Sequence, residues 1–160
     1  MTVRYIDAIT DRYNSLGFDA YRWYHADSPP AWAPVKKPLK DSRIGLLGTS
    51  GAYAVGQVAY HYKDDTSVRE IPKNTRDEDL RFAHITENYL PGGRGDPNCI
   101  FPLSSLRQLE EEGVVGEIAE DVLSCMGGLY SQRRVREEML PAITEKFSDQ
   151  KVDAVLFVPM

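Results

Sequence analysis

Three groups of side chains in this sequence could do chemistry. The first is Gly48-Thr49-Ser50-Gly51, which directly follows the apolar run Ile44-Gly45-Leu46-Leu47. Backbone N–H groups in such a turn can cradle an anion, and glycine lets a ligand come close to the main chain. The stretch lacks the Lys-Ser/Thr ending of a P-loop and the spacing of a Gly-x-Gly-x-x-Gly fingerprint. Ser50 is not framed as Gly-x-Ser-x-Gly either, so a tight strand exit is the plain alternative. The second is His84, within Arg81-Phe82-Ala83-His84-Ile85-Thr86. A histidine near a strand end can act as a general base, or it can be a hydrogen-bonded structural residue. The third is Asp96-Pro97-Asn98-Cys99. Asp96 and Asn98 can shape the turn through the local backbone, or touch substrate if the loop lies over the strand ends. Cys99 becomes a nucleophile if the helix starting near Pro102 lowers its pKa, and stays an inert thiol if it packs beside Ile100 and Phe101. The candidate catalytic residues are therefore His84 and Cys99. The candidate substrate-binding residues are Gly48, Thr49, Ser50, Gly51, Asp96 and Asn98.

These groups need elements to hold them. Val3, Ile6, Ile9, Tyr13 and Leu16 form one helical face, and Gly17 is a natural stop. Tyr21 to His25 is aromatic and reads as a short strand or an extended anchor, and the proline-rich stretch 28–38 reads as a rigid connection. Residues 43–51 are the clearest early strand, 67–71 a short strand stopped by Pro72, and 81–86 an alternating strand. Residues 91–98 read as a Gly/Pro loop. Three helices are predicted over 102–112, 114–126 and 131–147, with Pro141 kinking or dividing the last. Val152 to Val158 is a short apolar run after a helical segment, which reads as a buried strand. Ligands in open α/β sheets bind beyond the carboxyl ends of the strands. The order predicts one α/β domain over 1–160, three-layer and Rossmann-like or flavodoxin-like, with a mainly parallel sheet.

The bulk properties narrow the function. The chain has 160 residues, 42% hydrophobic and 27% charged, and a net charge of −5. That balance argues against a nucleic-acid or anionic-membrane partner, since both select basic surfaces. No apolar run reaches the length of a membrane span, and the N-terminus lacks a signal-peptide core, so a cytoplasmic location is expected. Cys99 and Cys125 make no disulfide scaffold. With three histidines and no Cys-x-x-Cys or His-x-x-x-His, no metal site is signalled.

Several stretches together resemble a known family. They are Val3-Arg4-Tyr5-Ile6-Asp7, Leu16-Gly17-Phe18, Tyr21-Arg22-Trp23, residues 44–51, Asp79-Leu80-Arg81-Phe82-Ala83-His84, residues 96–103, residues 106–113 and the closing residues 152–159. In this order, over nearly the whole chain, they resemble selenoprotein B of the glycine/sarcosine/betaine reductases and its relative in D-proline reductase. The Asp-Pro-Asn loop leading into Phe-Pro-Leu is the most specific part. The resemblance implies an oxidoreductase subunit of amino-acid metabolism that cleaves a C–N bond reductively. A pyruvoyl-containing partner subunit would hold the amine or amino-acid substrate. A selenocysteine, expected just after Met160, would attack the carbon beside the nitrogen. No cofactor is expected within the chain itself. One expectation is thus a subunit, or a fragment terminated at a selenocysteine codon, that is inactive alone. The alternative is a non-catalytic, partner-binding α/β subunit that keeps the scaffold without the selenium centre.

Overall fold

The computed structural model describes residues 4–20 and 25–160. Most of the aromatic run that begins at Tyr21, namely 21–24, lies outside the described residues. The chain divides into two compact units, Met1–Pro34 and Val35–Met160. In the first, α1 (Tyr5–Ser15) buries none of its side chains and ends at Leu16. Gly17 then turns the chain at φ +82°, as its place after the apolar stripe predicts.

The second unit is α/β. Its central strand is β1 (Arg43–Gly48), followed by β2 (Ala52–Ala54), β3 (Arg69–Pro72) and β4 (Leu80–Phe82). After α2 (Leu90–Gly95) and α3 (Leu103–Glu111) come β5 (Glu117–Ile118) and β6 (Asp121–Ser124). A helical segment of α4 (Gln132–Arg134), a π-helical turn (Val135–Met139) and α5 (Leu140–Asp149) leads to β7 (Ala154–Val158). β7 pairs with β1 in parallel along its length, from Ile44↔Ala154 to Gly48↔Val158. A strand has only two edges, so β5 and β6 share the other one. β5 lies parallel to Arg43–Ile44 and β6 parallel to Leu47–Gly48.

The mainly parallel sheet expected from the element order is a mixed one. β3 runs antiparallel to β6, and β2 and β4 form a separate antiparallel ribbon. The element order alone does not report direction at an edge, where antiparallel strands commonly join a parallel set. The pleat sends Ile44 and Leu46 into one core cluster with Phe101, Leu103 and Leu106. Leu47 joins Leu123, Met139, Ile143 and Phe147 in the other.

Three local expectations are corrected. Residues 114–126 are not a helix. Gly113, at φ +70°, closes α3, and a Cβ on Gly116 would lie 2.7 Å from the Lys40 carbonyl oxygen, so the chain there lies flat against its neighbour. Val115, Ile118, Val122 and Met126 are buried, but Ile118 and Val122 sit in two short strands, Val115 just before them and Met126 just after. Residues 91–98 are not simply a loop, since α2 occupies most of them and Pro97–Cys99 makes a 3₁₀ turn. The strand predicted over 81–86 is shorter and earlier. Pro141 acts as expected, because the ladder widens into a π-turn just before it. Proline lacks an N–H and crowds the preceding turn.

Gly51 joins β1 to β2 at φ +65°, and a Cβ there would sit 2.0 Å from the Ala83 carbonyl oxygen. Gly51→Ala therefore combines backbone strain with a clash. It is expected to cost at least ~2 kcal/mol, read as a lower urea midpoint. An unchanged midpoint would show that this crossing can relax.

Candidate functional site

The carboxyl ends of β1, β6 and β7 are stitched together by main-chain bonds. Thr49 N–H donates to the Val158 carbonyl at 3.1 Å, and Gly51 N–H donates to the Cys125 carbonyl at 3.1 Å. Ser50 bridges to Met126. Ala83 N–H donates to the Gly51 carbonyl at 3.1 Å, which brings the chain leading to His84 against the turn. Thr49 Oγ1 accepts from Met160 N–H at 2.8 Å. The N–H groups of Thr49 and Gly51 are already used within the fold and are not free to cradle an anion. What the turn contributes is its position and its hydroxyls.

His84 stands at this junction with 8% of its surface exposed. Its Nδ1 lies 2.6 Å from Thr86 Oγ1 and accepts the Thr86 backbone N–H at 3.1 Å. An acceptor at Nδ1 assigns the proton of the neutral ring to Nε2. Burial pushes its pKa below the ordinary 6.5, which favours that neutral ring. Nε2 is buried and has no hydrogen-bond partner. It faces Gly127: a Cβ on that glycine would lie 2.8 Å from the Met160 carbonyl oxygen, 2.9 Å from that of Thr49 and 3.1 Å from His84 Nε2. Only a residue without a side chain fits among those three atoms. Ser50 Oγ and Ser124 Oγ are likewise buried without partners. Native interiors leave few such groups unpaired, and each unpaired one calls for a reason. Here three of them gather at the strand ends where α/β sheets take their ligands.

The arrangement offers one N–H donor on a neutral imidazole, and two buried, unpartnered hydroxyls, Ser50 just past β1 and Ser124 at the end of β6. It can donate to a nucleophile or leaving group that carries developing negative charge. As placed, Nε2 is not a ready general base, because its lone pair already carries the proton.

The remaining sequence candidates lie in another turn. Asp96 Oδ1 accepts the Asn98 N–H at 3.0 Å, as turn-shaping chemistry expects. Asn98 Oδ1 accepts from Ser105 N–H at 3.0 Å and from the Ser104 hydroxyl at 2.9 Å, which secures the first turn of α3. Cys99 is exposed in the same turn, while Cys125 is buried and its thiol is pushed up to about 11 by that burial. The structure thus brings Gly48, Thr49, Ser50, Gly51 and His84 together, and sets Asp96, Asn98 and Cys99 to a structural cap. Gly127, Gly128 and Thr86 belong to the site but were not singled out by the sequence. The signal available was the Gly127-Gly128 pair, which reads equally as a helix stop. Among the described residues, no three His, Cys, Asp or Glu side chains gather as metal ligands, and no helix is long and apolar enough to cross a membrane.

Because the folded pKa of His84 lies below its unfolded value, protons bind the unfolded chain more readily. Its contribution to stability is complete above pH 6.5 and is lost as pH falls from there through the folded pKa. His84→Gln should therefore flatten the loss of Tm on the acid side of pH 6.5. Equal acid-side slopes in the two proteins would refute a buried, neutral ring.

Comparison with known proteins bears on this geometry. The family described as glycine/sarcosine/betaine reductase selenoprotein B (GRDB) matches residues 76–159, just over half of the chain, and so spans His84, Gly127 and β7. D-proline reductase subunit gamma of Acetoanaerobium sticklandii is 33% identical over 129 residues, 80% of this chain and 52% of that protein. The chain thus spans about half the length of this curated relative. No solved structure matches. The chain belongs to the glycine/sarcosine/betaine reductase selenoprotein B family, a family of reductase subunits.

Proposed function

We propose that this chain is part of the selenoprotein subunit of an amine or amino-acid reductase and works in reductive C–N bond cleavage beside a pyruvoyl-containing partner subunit. One observation carries the reading. In a chain of this family, the unpartnered Nε2 of His84 and the Met160 carbonyl oxygen, two residues past β7, both border Gly127. The resemblance puts a selenocysteine just beyond that strand, and such a residue would enter the cluster of His84, Thr49 and Gly127. A selenocysteine supplies a nucleophile that is ionised at neutral pH. The chain's own residues then have definite work. His84 Nε2–H donates to the negative charge that develops as the C–N bond breaks, and Thr86 keeps the ring in the donating tautomer. Ser50 and Ser124 offer hydroxyls to the same space, and the packed strand ends keep water out.

The relative's name supports a multisubunit assembly and points to D-proline as one substrate. Glycine, sarcosine and betaine are the others to test. The experiment is to purify the natural subunit with its pyruvoyl partner and measure consumption of these four compounds with a dithiol reductant. His84→Gln is expected to lower turnover about a hundredfold while the assembly stays intact. Full turnover in that variant would remove His84 from the reaction. An intact assembly that consumes none of the four would favour the non-catalytic, partner-binding reading instead.

A further inference from the structure

His84 holds its Nε2 where no ligand can touch it. The atom is buried without a partner, and its cover is main chain near the surface. A Cβ on Gly127 would lie 3.1 Å from Nε2. One on Gly128 would lie 3.9 Å from His84 Cε1 and would run into the Ile85 side chain. The cover is thus the backbone of two consecutive glycines, and Gly127 is itself exposed. A ligand reaches the imidazole only if this segment moves.

The segment is fastened mainly at its ends. Before it, Met126 bridges to Ser50. After it, Asp64 Oδ1 accepts the Tyr130 N–H at 2.7 Å and the Ser131 N–H at 3.1 Å. Between these ties, among the described residues, Gly128 and Leu129 have one main-chain bond, from Leu129 N–H to the Gly127 carbonyl at 3.0 Å. Leu129 leans half-buried on the cluster of Leu47 and Leu123, while Tyr130 is exposed. The carboxylate comes from a distant loop that is itself anchored. Arg134 Nη1 donates to the Asp64 carbonyl at 2.6 Å, and its Nη2 to Thr66 Oγ1 at 2.9 Å. One charged oxygen therefore holds two consecutive N–H groups from outside the segment. Both bonds break together, and at an exposed residue water can replace the lost acceptor.

We propose that residues 127–131 are a lid over His84, latched by Asp64, which opens to admit ligand to the strand-end cluster. Release from Asp64 gives the segment slack, and Gly127-Gly128 supplies the backbone freedom for it to lift. Opening costs little else than the latch and the half-buried Leu129, so it occurs locally while the sheet stays folded. The inference rests on the strand ends being the site, and not on the reaction assigned to them. Its test reads access to His84 without turnover. A lid that opens over a histidine without a part in turnover would leave it standing, and a His84 needed for turnover under a lid that never opens would leave the reaction standing.

The test is the rate at which diethyl pyrocarbonate modifies His84 at neutral pH, read by peptide mass mapping. In water the freed ring exchanges its tautomers, so the rate reports access. Exposed His25 serves as the reference for reagent. Buried Cys125, probed with iodoacetamide, serves as the reference for unfolding of the whole unit. Asp64 stands at φ +48°, so Asp64→Gly removes the carboxylate without straining the backbone. It should raise the His84 rate about tenfold or more, with His25 and Cys125 unchanged. Asp64→Asn keeps a neutral acceptor oxygen and should fall between the two. Should Asp64→Gly fail to fold, Gly128→Ala replaces it, because its methyl group wedges the segment off Ile85 and should likewise raise the rate. The proposal is overturned if the substitution leaves the His84 rate at the wild-type value. It is also overturned if Cys125 becomes reactive in step with His84, which would make the opening global.

Discussion

β1 is bare where two phenylalanine rings press on it from opposite faces. A methyl group on Gly45 would lie 2.6 Å from the Phe147 ring, and one on Gly48 would lie 2.5 Å from the Phe101 ring. Interiors pack as densely as organic crystals, so neither ring has room to retreat. Phe147 ties α5 to one face of the sheet, and Phe101 ties the start of α3 to the other. The close approach also sets the depth at which β1 exits into Thr49–Gly51. The position of the strand-end cluster thus follows from two glycines that never touch a ligand.

The cluster itself runs against the economy of the rest of the unit. Elsewhere among the described residues, Asp77 Oδ1 apart, buried side-chain polar atoms have partners. Arg43 reaches Glu117 and the Gln150 carbonyl, Gln150 exchanges two bonds with the Asp121 main chain, and Tyr60 gives its hydroxyl proton to the Ser124 carbonyl. At the strand ends Ser50, His84 and Ser124 each keep an unsatisfied atom. Such atoms are costly in a low-dielectric interior. The same low dielectric makes a donor there effective against a charge that appears during a reaction. A site of this kind gives up some stability for electrostatic readiness.

Much of this was legible in the residues, and the failures have physical causes. β1 and β7 stood out because Ile44–Leu47 and Val155–Val158 are uninterrupted apolar runs, but only β1 is buried as such a run implies: Val155, Leu156 and Phe157 of β7 are exposed, so the run marked the strand and not its burial. α3 stood out because Leu103, Leu106 and Leu109 keep helical spacing until Gly113. The residues after it misled because steps of three and four between Val115, Ile118, Val122 and Met126 also fit two short strands, holding Ile118 and Val122, with buried residues flanking them. β2, which is Ala-Tyr-Ala, is too short to show a period. α2 carries Pro-Gly-Gly-Arg-Gly, where intrinsic propensity points away from a helix and packing of Leu90 and Gly93 overrides it. His84 and the glycine turn could be found because both mark strand ends. Gly127 could not, since its meaning lies in three atoms from distant parts of the chain that converge on it.

The parallel pairing of β1 with β7 has a consequence for synthesis. The partners Ile44 and Ala154 are 110 positions apart. At ribosomal speeds, roughly 5 to 20 s separates their emergence. During that interval β1 can acquire β5 and β6 on one side only, and its other edge waits with a full row of unpaired amides. Gly45 has no Phe147 over it until α5 has also been made. The nascent chain therefore carries a half-finished sheet until β7 emerges. β7 acts less as an addition to the sheet than as the event that completes the pairing of β1.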